Sequence, residues 1–338
     1  MAEPVVPHNR LTHGAEEEAA VASVVARGQW AGGERVEELE RRLAERAGVA
    51  HAVCVGSGLA ALRLSLLALG IGPGSRVAVP AYSCVALANA PLSLGAEPVP
   101  TDIEHGRWTI DPDVVADAGA IVAVHTFGAR ARLAELRGRA PLVEDCAHAF
   151  GLPGIGSGAD VAILSFYATK LIGAGEGGAV LTDSSELAGV VRDHRDYTDL
   201  PPDGRRLNDK LTELEAALAL CQLDRLDGML EARLRIAHRY DELLAPGRDV
   251  LGLPVMDADR VWYRYAVELR GLGVAEAVAL LAERGIRADE PVHDWRTGGS
   301  APVADAAYAS LLSLPLYPTL RDEEQERVVA AVLEIVAP

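Results

Sequence analysis

Cysteine is scarce in this chain and poorly spaced for metal chemistry: Cys54, Cys84, Cys146 and Cys221 form no C-x-x-C pair. That pattern excludes a zinc-ribbon or disulfide framework and predicts reduced thiols, with no metal site. Long apolar runs are missing as well; no stretch approaches the roughly 20 residues that a membrane-spanning helix needs. The N-terminal residues lack a signal-peptide core, so the cytoplasm is the expected location. Positive charge is outnumbered, with 32 Lys and Arg against 49 Asp and Glu and a net charge of −17. Such a surface repels nucleic acid and anionic membranes. It still permits a small anionic ligand, because backbone N–H groups can hold a phosphate locally. No internal repeat or low-complexity linker occurs.

What is present is ordinary for a soluble globular protein: 49% apolar and 24% charged residues. The 338 residues suffice for a large domain and a smaller one. Residues 15–48 read as helical with an interruption at Gly28 to Gly33. Strands are expected at 51–55, 76–79, 97–100, 120–125, 142–144, 161–166 and 179–182, with helices at 59–69 and about 84–93. Short apolar strands alternating with helices predict a mostly parallel sheet covered on both faces. A long helix from Thr212 to about Leu243 precedes the expected boundary, giving a large domain over 1–243 and a small α/β domain over 244–338. The latter should hold a strand at 261–269, helices at 274–284 and 323–335, and a strand or connector at 314–318.

Three expected strand ends carry compatible chemistry, and ligands of open parallel sheets bind outside such ends. Val55-Gly56-Ser57-Gly58-Leu59-Ala60-Ala61 joins a strand to a helix, and free N–H groups at the helix start suit a phosphate. Gly56, Gly58 and Ala61 also fit the dinucleotide pattern G-x-G-x-x-A. That pattern needs a ribose-binding acid about 20 residues on, and no Asp or Glu occurs from Leu59 to Ala96. The second end, Glu144-Asp145-Cys146-Ala147-His148, lets one carboxylate face a site while its neighbour faces away. Asp145 there could hold a protonated ring nitrogen, and His148 could bond a neighbouring oxygen; turn capping is the bland alternative. The third end runs Ser165-Phe166-Tyr167-Ala168-Thr169-Lys170 into a glycine-rich segment. Ser165 offers a hydroxyl, and a partly desolvated Lys170 offers an amine for attack on a carbonyl. A phosphate cradle, a carboxylate and an amine together match the needs of pyridoxal phosphate.

On these residues the chain resembles the DegT/StrS family of pyridoxal-phosphate sugar aminotransferases, from about Gly28 to the C-terminus. The matching motifs include Gly32-Gly33, Ser57-Gly58, Val79-Pro80 with Tyr82, Glu144-Asp145 with His148, and Ser165-Phe166 with Lys170. Gly175-Glu176-Gly177-Gly178, Asn208, Gln222-Leu223 and Leu314-Pro315-Leu316-Tyr317-Pro318 extend the match. The resemblance implies the α/β fold of the aspartate-aminotransferase class (type I), a mostly parallel seven-stranded sheet with a smaller C-terminal α/β domain. It implies Lys170 as the Schiff-base lysine and Asp145 as partner of the pyridine nitrogen. Cofactor contacts would come from Ser57, Gly58, Leu59, Tyr82, Cys84, His148 and Ser165. Asn208 would reach the phosphate of a neighbouring subunit, making a homodimer with shared sites. His293, Trp295 and Tyr317 would meet substrate.

The chain departs from the family where Leu59 replaces a usual threonine, Cys84 a usual aromatic ring, and Lys210 a usual arginine. The implied reaction is ping-pong transamination, with L-glutamate as expected donor and a keto-sugar, nucleotide-linked, as acceptor. A keto-cyclitol acceptor, a sugar-dehydrating relative and a noncatalytic regulator of the same fold are the alternatives. The dehydrating group carries histidine at the lysine position, and Lys170 disfavours it.

Overall fold

The computed structural model describes residues 4–198 and 202–337, so the first three residues of the N-terminal stretch read above lie outside it. Seven strands build the main sheet: β1 His51–Val55, β2 Arg76–Pro80, β3 Glu97–Thr101, β4 Ala120–Val124, β5 Leu142–Asp145, β6 Val161–Ser165 and β7 Gly178–Thr182. Their spatial order is β1-β7-β6-β5-β4-β2-β3. β7 runs antiparallel to both its neighbours, and the other six strands share one direction. The carboxyl ends of β1, β2, β4, β5 and β6 therefore open on a single edge.

Alternation explains why these strands read as unbroken apolar runs. Ala52 and Cys54 of β1, Ala162 and Leu164 of β6, and Ala179 and Leu181 of β7 enter one core cluster. Val53 and Val55, Val161 and Ile163, and Val180 enter the cluster on the opposite face. Side chains of a strand alternate between faces, so burial of both faces demands apolar residues at every position.

Helices supply the covering layers: α1 Ala15–Arg27, α2 Glu34–Ala47, α3 Gly58–Ala68, α4 Ala86–Ser93, α5 Leu133–Leu136 and α6 Ser185–His194. Residues Ala60 to Leu67 of α3 are all buried, as expected for a helix apolar on every side. Further on lie α7 Glu213–Asp224, α8 Leu226–Leu244, α9 Val274–Glu283, α10 Pro302–Ser310 and α11 Asp322–Val336. The single helix expected from Thr212 to Leu243 is thus two, α7 and α8. The break falls at Arg225 (φ −99°, ψ 0°), whose guanidinium pairs with Glu17 and reaches the Thr12 carbonyl. No glycine or proline marks that break in the sequence; a tertiary ion pair accompanies it.

A second, antiparallel sheet is formed by β8 Leu251–Gly252, β9 Tyr265–Leu269 and β10 Leu311–Leu314, in the order β10-β9-β8. It packs with Ile236, Tyr240 and Leu244 of α8 and with α9 and α11. Val6 joins that cluster, its backbone bonded to Gly285 and Arg287. The strand expected over 261–269 begins only at Tyr265. The Trp262 and Tyr263 carbonyls accept from the buried Arg233 guanidinium instead of a strand partner.

Candidate active site

The open edge of the main sheet faces the second sheet across a cavity of about 810 Å³. Each strand end contributes to it. Ser57 caps α3, its Oγ accepting from Ala60 N–H at 3.0 Å. The N–H groups of Gly58 and Leu59 precede the first intrahelical hydrogen bond and stay available for an anion. A Cβ at Gly58 would stand 2.7 Å from Ser165 Cβ and 3.0 Å from its Oγ. Only glycine brings the start of α3 against the end of β6, and this makes a cradle of N–H groups and a hydroxyl.

Asp145 closes β5 as a buried carboxylate that lines the cavity. Its one hydrogen bond among the described residues comes from Ala147 N–H to Oδ1, at 2.9 Å. Burial raises its pKa above the ordinary aspartate value, outweighing the lowering by that N–H and by the Lys170 charge. A cation placed beside it would be met by a carboxylate with little other compensation.

Lys170 sits in a loop tied by Ala168 N–H to Gly175 and by Ala174 N–H to Phe166. Its Nζ lies 2.8 Å from His148 Nε2 and 5.0 Å from the Tyr263 ring centroid. His148 stacks on Tyr263 with centroids 4.1 Å apart and planes 12° from parallel. Burial and the nearby Lys170 hold the imidazole well below its usual pKa, so it is neutral. The Phe127 N–H points at His148 Nδ1 (3.4 Å), and the other ring nitrogen, Nε2, faces the Lys170 amine. Phe127 adopts φ 54° to make that contact, a left-handed conformation that costs a non-glycine residue about 1–3 kcal/mol. Gly128 follows because a Cβ there would stand 1.9 Å from the Val261 carbonyl oxygen.

Eleven of the residues expected at the site line this one cavity: Ser57, Gly58, Leu59, Tyr82, Cys84, Asp145, His148, Ser165, Lys170, His293 and Trp295. Among the described residues, Tyr82 and Thr126 each have a buried hydroxyl without a partner, and Trp295 an unpartnered indole N–H. Two expected residues stand elsewhere. Tyr317 is buried in the core of the second sheet, its ring under Arg10 at 4.9 Å; Pro315 and Leu316 turn it inward after β10. Asn208 is exposed and does not line the cavity of its own chain.

Sequence reasoning passed over Tyr263 and Arg264, which close the cavity from the second sheet. Burial raises the Tyr263 pKa, but Lys170, Arg264 and a Thr169 hydrogen bond bring it down to about 8. A signal existed: Trp262-Tyr263-Arg264-Tyr265 gathers three rings in a chain only 4% aromatic. A second missed signal concerns Lys170 itself, since the chain has just two lysines, Lys170 and Lys210.

His125, Glu144 and Cys146 also approach one another closely behind the site. Glu144 is already occupied, accepting from His125 Nε2 (2.8 Å), Gly156 N–H (3.0 Å) and Gly158 N–H (2.8 Å). Those bonds describe a structural knot rather than a metal centre. No helix among the described residues is long and apolar enough to cross a membrane.

Known proteins resemble this chain in sequence and in fold. A dTDP-3-amino-3,4,6-trideoxy-alpha-D-glucose transaminase of Streptomyces venezuelae is 35% identical over 95% of this chain and 92% of its own length. The crystal structure of S. venezuelae DesV in complex with a ketimine intermediate superposes with a TM-score of 0.91. It is 33% identical and covers 99% of this chain and all of that one. NtdA of Bacillus subtilis, solved with bound cofactor PMP, gives a TM-score of 0.90 at 27% identity, covering all of this chain and 86% of its own. Residues 12–333 match the model of one family. The chain belongs to the DegT/DnrJ/EryC1/StrS aminotransferase family.

Proposed function

We propose that this aminotransferase uses pyridoxal phosphate to move an amino group from L-glutamate to a nucleotide-linked keto-sugar, in a ping-pong reaction. The observation that carries the reading is the meeting of three groups in one cavity: the α3 cradle with Ser165, the Asp145 carboxylate and the Lys170 amine. The residues fit the cofactor. The cradle needs Gly58 bare of a Cβ, and the buried Tyr82 and Thr126 hydroxyls await a partner from outside the protein.

When bound, the cofactor supplies an aldehyde and a ring that draws electrons from the carbon bearing the migrating nitrogen. Every other contribution belongs to the chain. Gly58 and Leu59 N–H groups and Ser165 Oγ hold the phosphate. Asp145 would keep a proton on the pyridine nitrogen, since Ala147 N–H is the one donor its carboxylate meets among the described residues. His148, fixed between Phe127 N–H and the Tyr263 ring, orients the Lys170 amine. Lys170 Nζ then removes the proton from the substrate carbon that carries nitrogen, a general-base role. Tyr82 and Cys84 would border the ring, and His293 and Trp295 the sugar.

The same reading makes the enzyme a cytoplasmic homodimer in which Asn208, exposed in its own chain, reaches the partner's phosphate cradle. It divides the chain near residue 243 into a cofactor-binding domain and a smaller domain that carries the second sheet. The test is spectroscopic. Cofactor-loaded protein should lose its visible band on addition of L-glutamate and regain it with a keto-sugar nucleotide. Protein that takes up no cofactor, or whose spectrum ignores every amino donor, would sink the proposal.

A further inference from the structure

The cavity lining holds one lysine, Lys170, and one arginine, Arg264, against five acids: Asp145, Glu176, Asp289, Glu290 and Asp294. Arg264 is held without being neutralised. Among the described residues its hydrogen bonds all run through Nη1, to His8 Nε2 at 3.2 Å and Ser313 Oγ at 3.3 Å, and neither partner is a carboxylate. Burial, reinforced by the adjacent guanidinium, drops the His8 pKa to about 3, so this imidazole is neutral and its Nε2 accepts. His8 Nε2 and Ser313 Oγ are themselves 2.9 Å apart. The N-terminal segment and β10 thus clamp one corner of the guanidinium fork and leave Nε and Nη2 for another ligand.

The position of the fork narrows what that ligand is. Arg264 Cζ lies 5.6 Å from the Tyr263 centroid, and Lys170 Nζ lies 5.0 Å from the same centroid. Both cations therefore lie within 6 Å of one ring, one face of which His148 covers. A half-buried guanidinium without a counter-charge gains most from a planar carboxylate, which matches the fork with two parallel hydrogen bonds. Asp289 and Glu290 line the same cavity and disfavour a multiply charged anion such as a nucleotide diphosphate.

We propose that Arg264 binds a carboxylate of the amino-acid donor while the donor's amine reacts beside Lys170, with His8 and Ser313 as positioning residues. The inference rests on the aminotransferase reading above, and the two half-reactions allow each to fail separately. In the donor half-reaction, Arg264→Met should raise the half-saturating L-glutamate concentration roughly 10- to 100-fold, the loss of a charge-assisted pair. Arg264→Lys, which keeps the charge and loses the fork, should fall between. The acceptor half-reaction of the aminated enzyme should keep its half-saturating concentration, and the visible spectrum of the loaded variants should match wild type. Glutarate, a dicarboxylate without an amine, gives a readout independent of turnover: by calorimetry it should bind loaded wild type and fail to bind Arg264→Met. Unchanged glutamate and glutarate binding in Arg264→Met would overturn the proposal, as would a defect confined to the acceptor, which would assign Arg264 to the sugar nucleotide. A wild-type enzyme without a glutamate-sensitive visible band would instead overturn the aminotransferase reading itself.

Discussion

Glu144 and Asp145 are neighbours on β5, both buried, and their surroundings give them opposite tasks. Glu144 turns to the far face of the sheet and receives three hydrogen bonds, from His125, Gly156 and Gly158. Burial pushes its pKa up, but the His125 bond and those two N–H groups bring it below the ordinary glutamate value. Asp145 turns to the cavity with a single N–H partner, and burial wins, raising its pKa. A saturated buried carboxylate holds a fold together, whereas an unsaturated one facing a cavity waits for a cation. The alternation of side chains along a strand puts the two roles one residue apart.

The comparison breaks most visibly in activity. Asp145→Asn and Lys170→Ala should each lower the transamination rate by at least about 100-fold, the scale of losing a positioned proton-handling group. Glu144→Gln should cost far less activity per folded molecule; equal losses at 144 and 145 in steady-state assays would erase the distinction.

Stability should show the reverse order. Glu144→Ala leaves two buried donors and one half-buried donor without their acceptor and should cost roughly 3–5 kcal/mol in denaturant unfolding. The sign with pH follows from its lowered folded pKa: the stabilisation is present above the unfolded value and is lost as pH falls through the folded one. Gly58→Ala tests the cradle by steric means. Its Cβ would press on Ser165 and should weaken cofactor binding about 10-fold by titration, the loss of roughly one phosphate hydrogen bond. The smallest effect belongs to Asp145→Asn without cofactor, which should be slightly more stable than wild type at neutral pH. Because the folded Asp145 pKa is raised, that advantage should shrink as pH falls through it. A loss of stability in the apo variant at neutral pH would contradict the assigned environment.

Much of this was readable before any coordinates. Each strand end announced itself through an apolar run followed by glycine, an acid pair or a lysine, because those features are local. The start of α3 was legible for the same reason, with Ser57 placed to cap it. The second-sheet side of the cavity was not. Tyr263 and Arg264 reach the site only because Arg233 takes the Trp262 and Tyr263 carbonyls and Val261 bonds Gly128. Contacts between segments so far apart leave no periodic trace. Tyr317 failed for the opposite reason, since a proline-flanked tyrosine suits a loop and a core equally well. The break between α7 and α8 coincides with an ion pair from Arg225 to Glu17, some 200 residues away in the chain.

The central claim concerns which amine carries the cofactor, and the composition makes it unusually easy to test. Borohydride reduction of the cofactor-loaded protein, followed by peptide mass mapping, has two lysines of this sequence to distinguish, Lys170 and Lys210. A pyridoxyl phosphate adduct confined to the peptide containing Lys170 is the predicted result. An adduct on Lys210, which pairs with Asp196 at 2.7 Å, or no adduct at all, would contradict it.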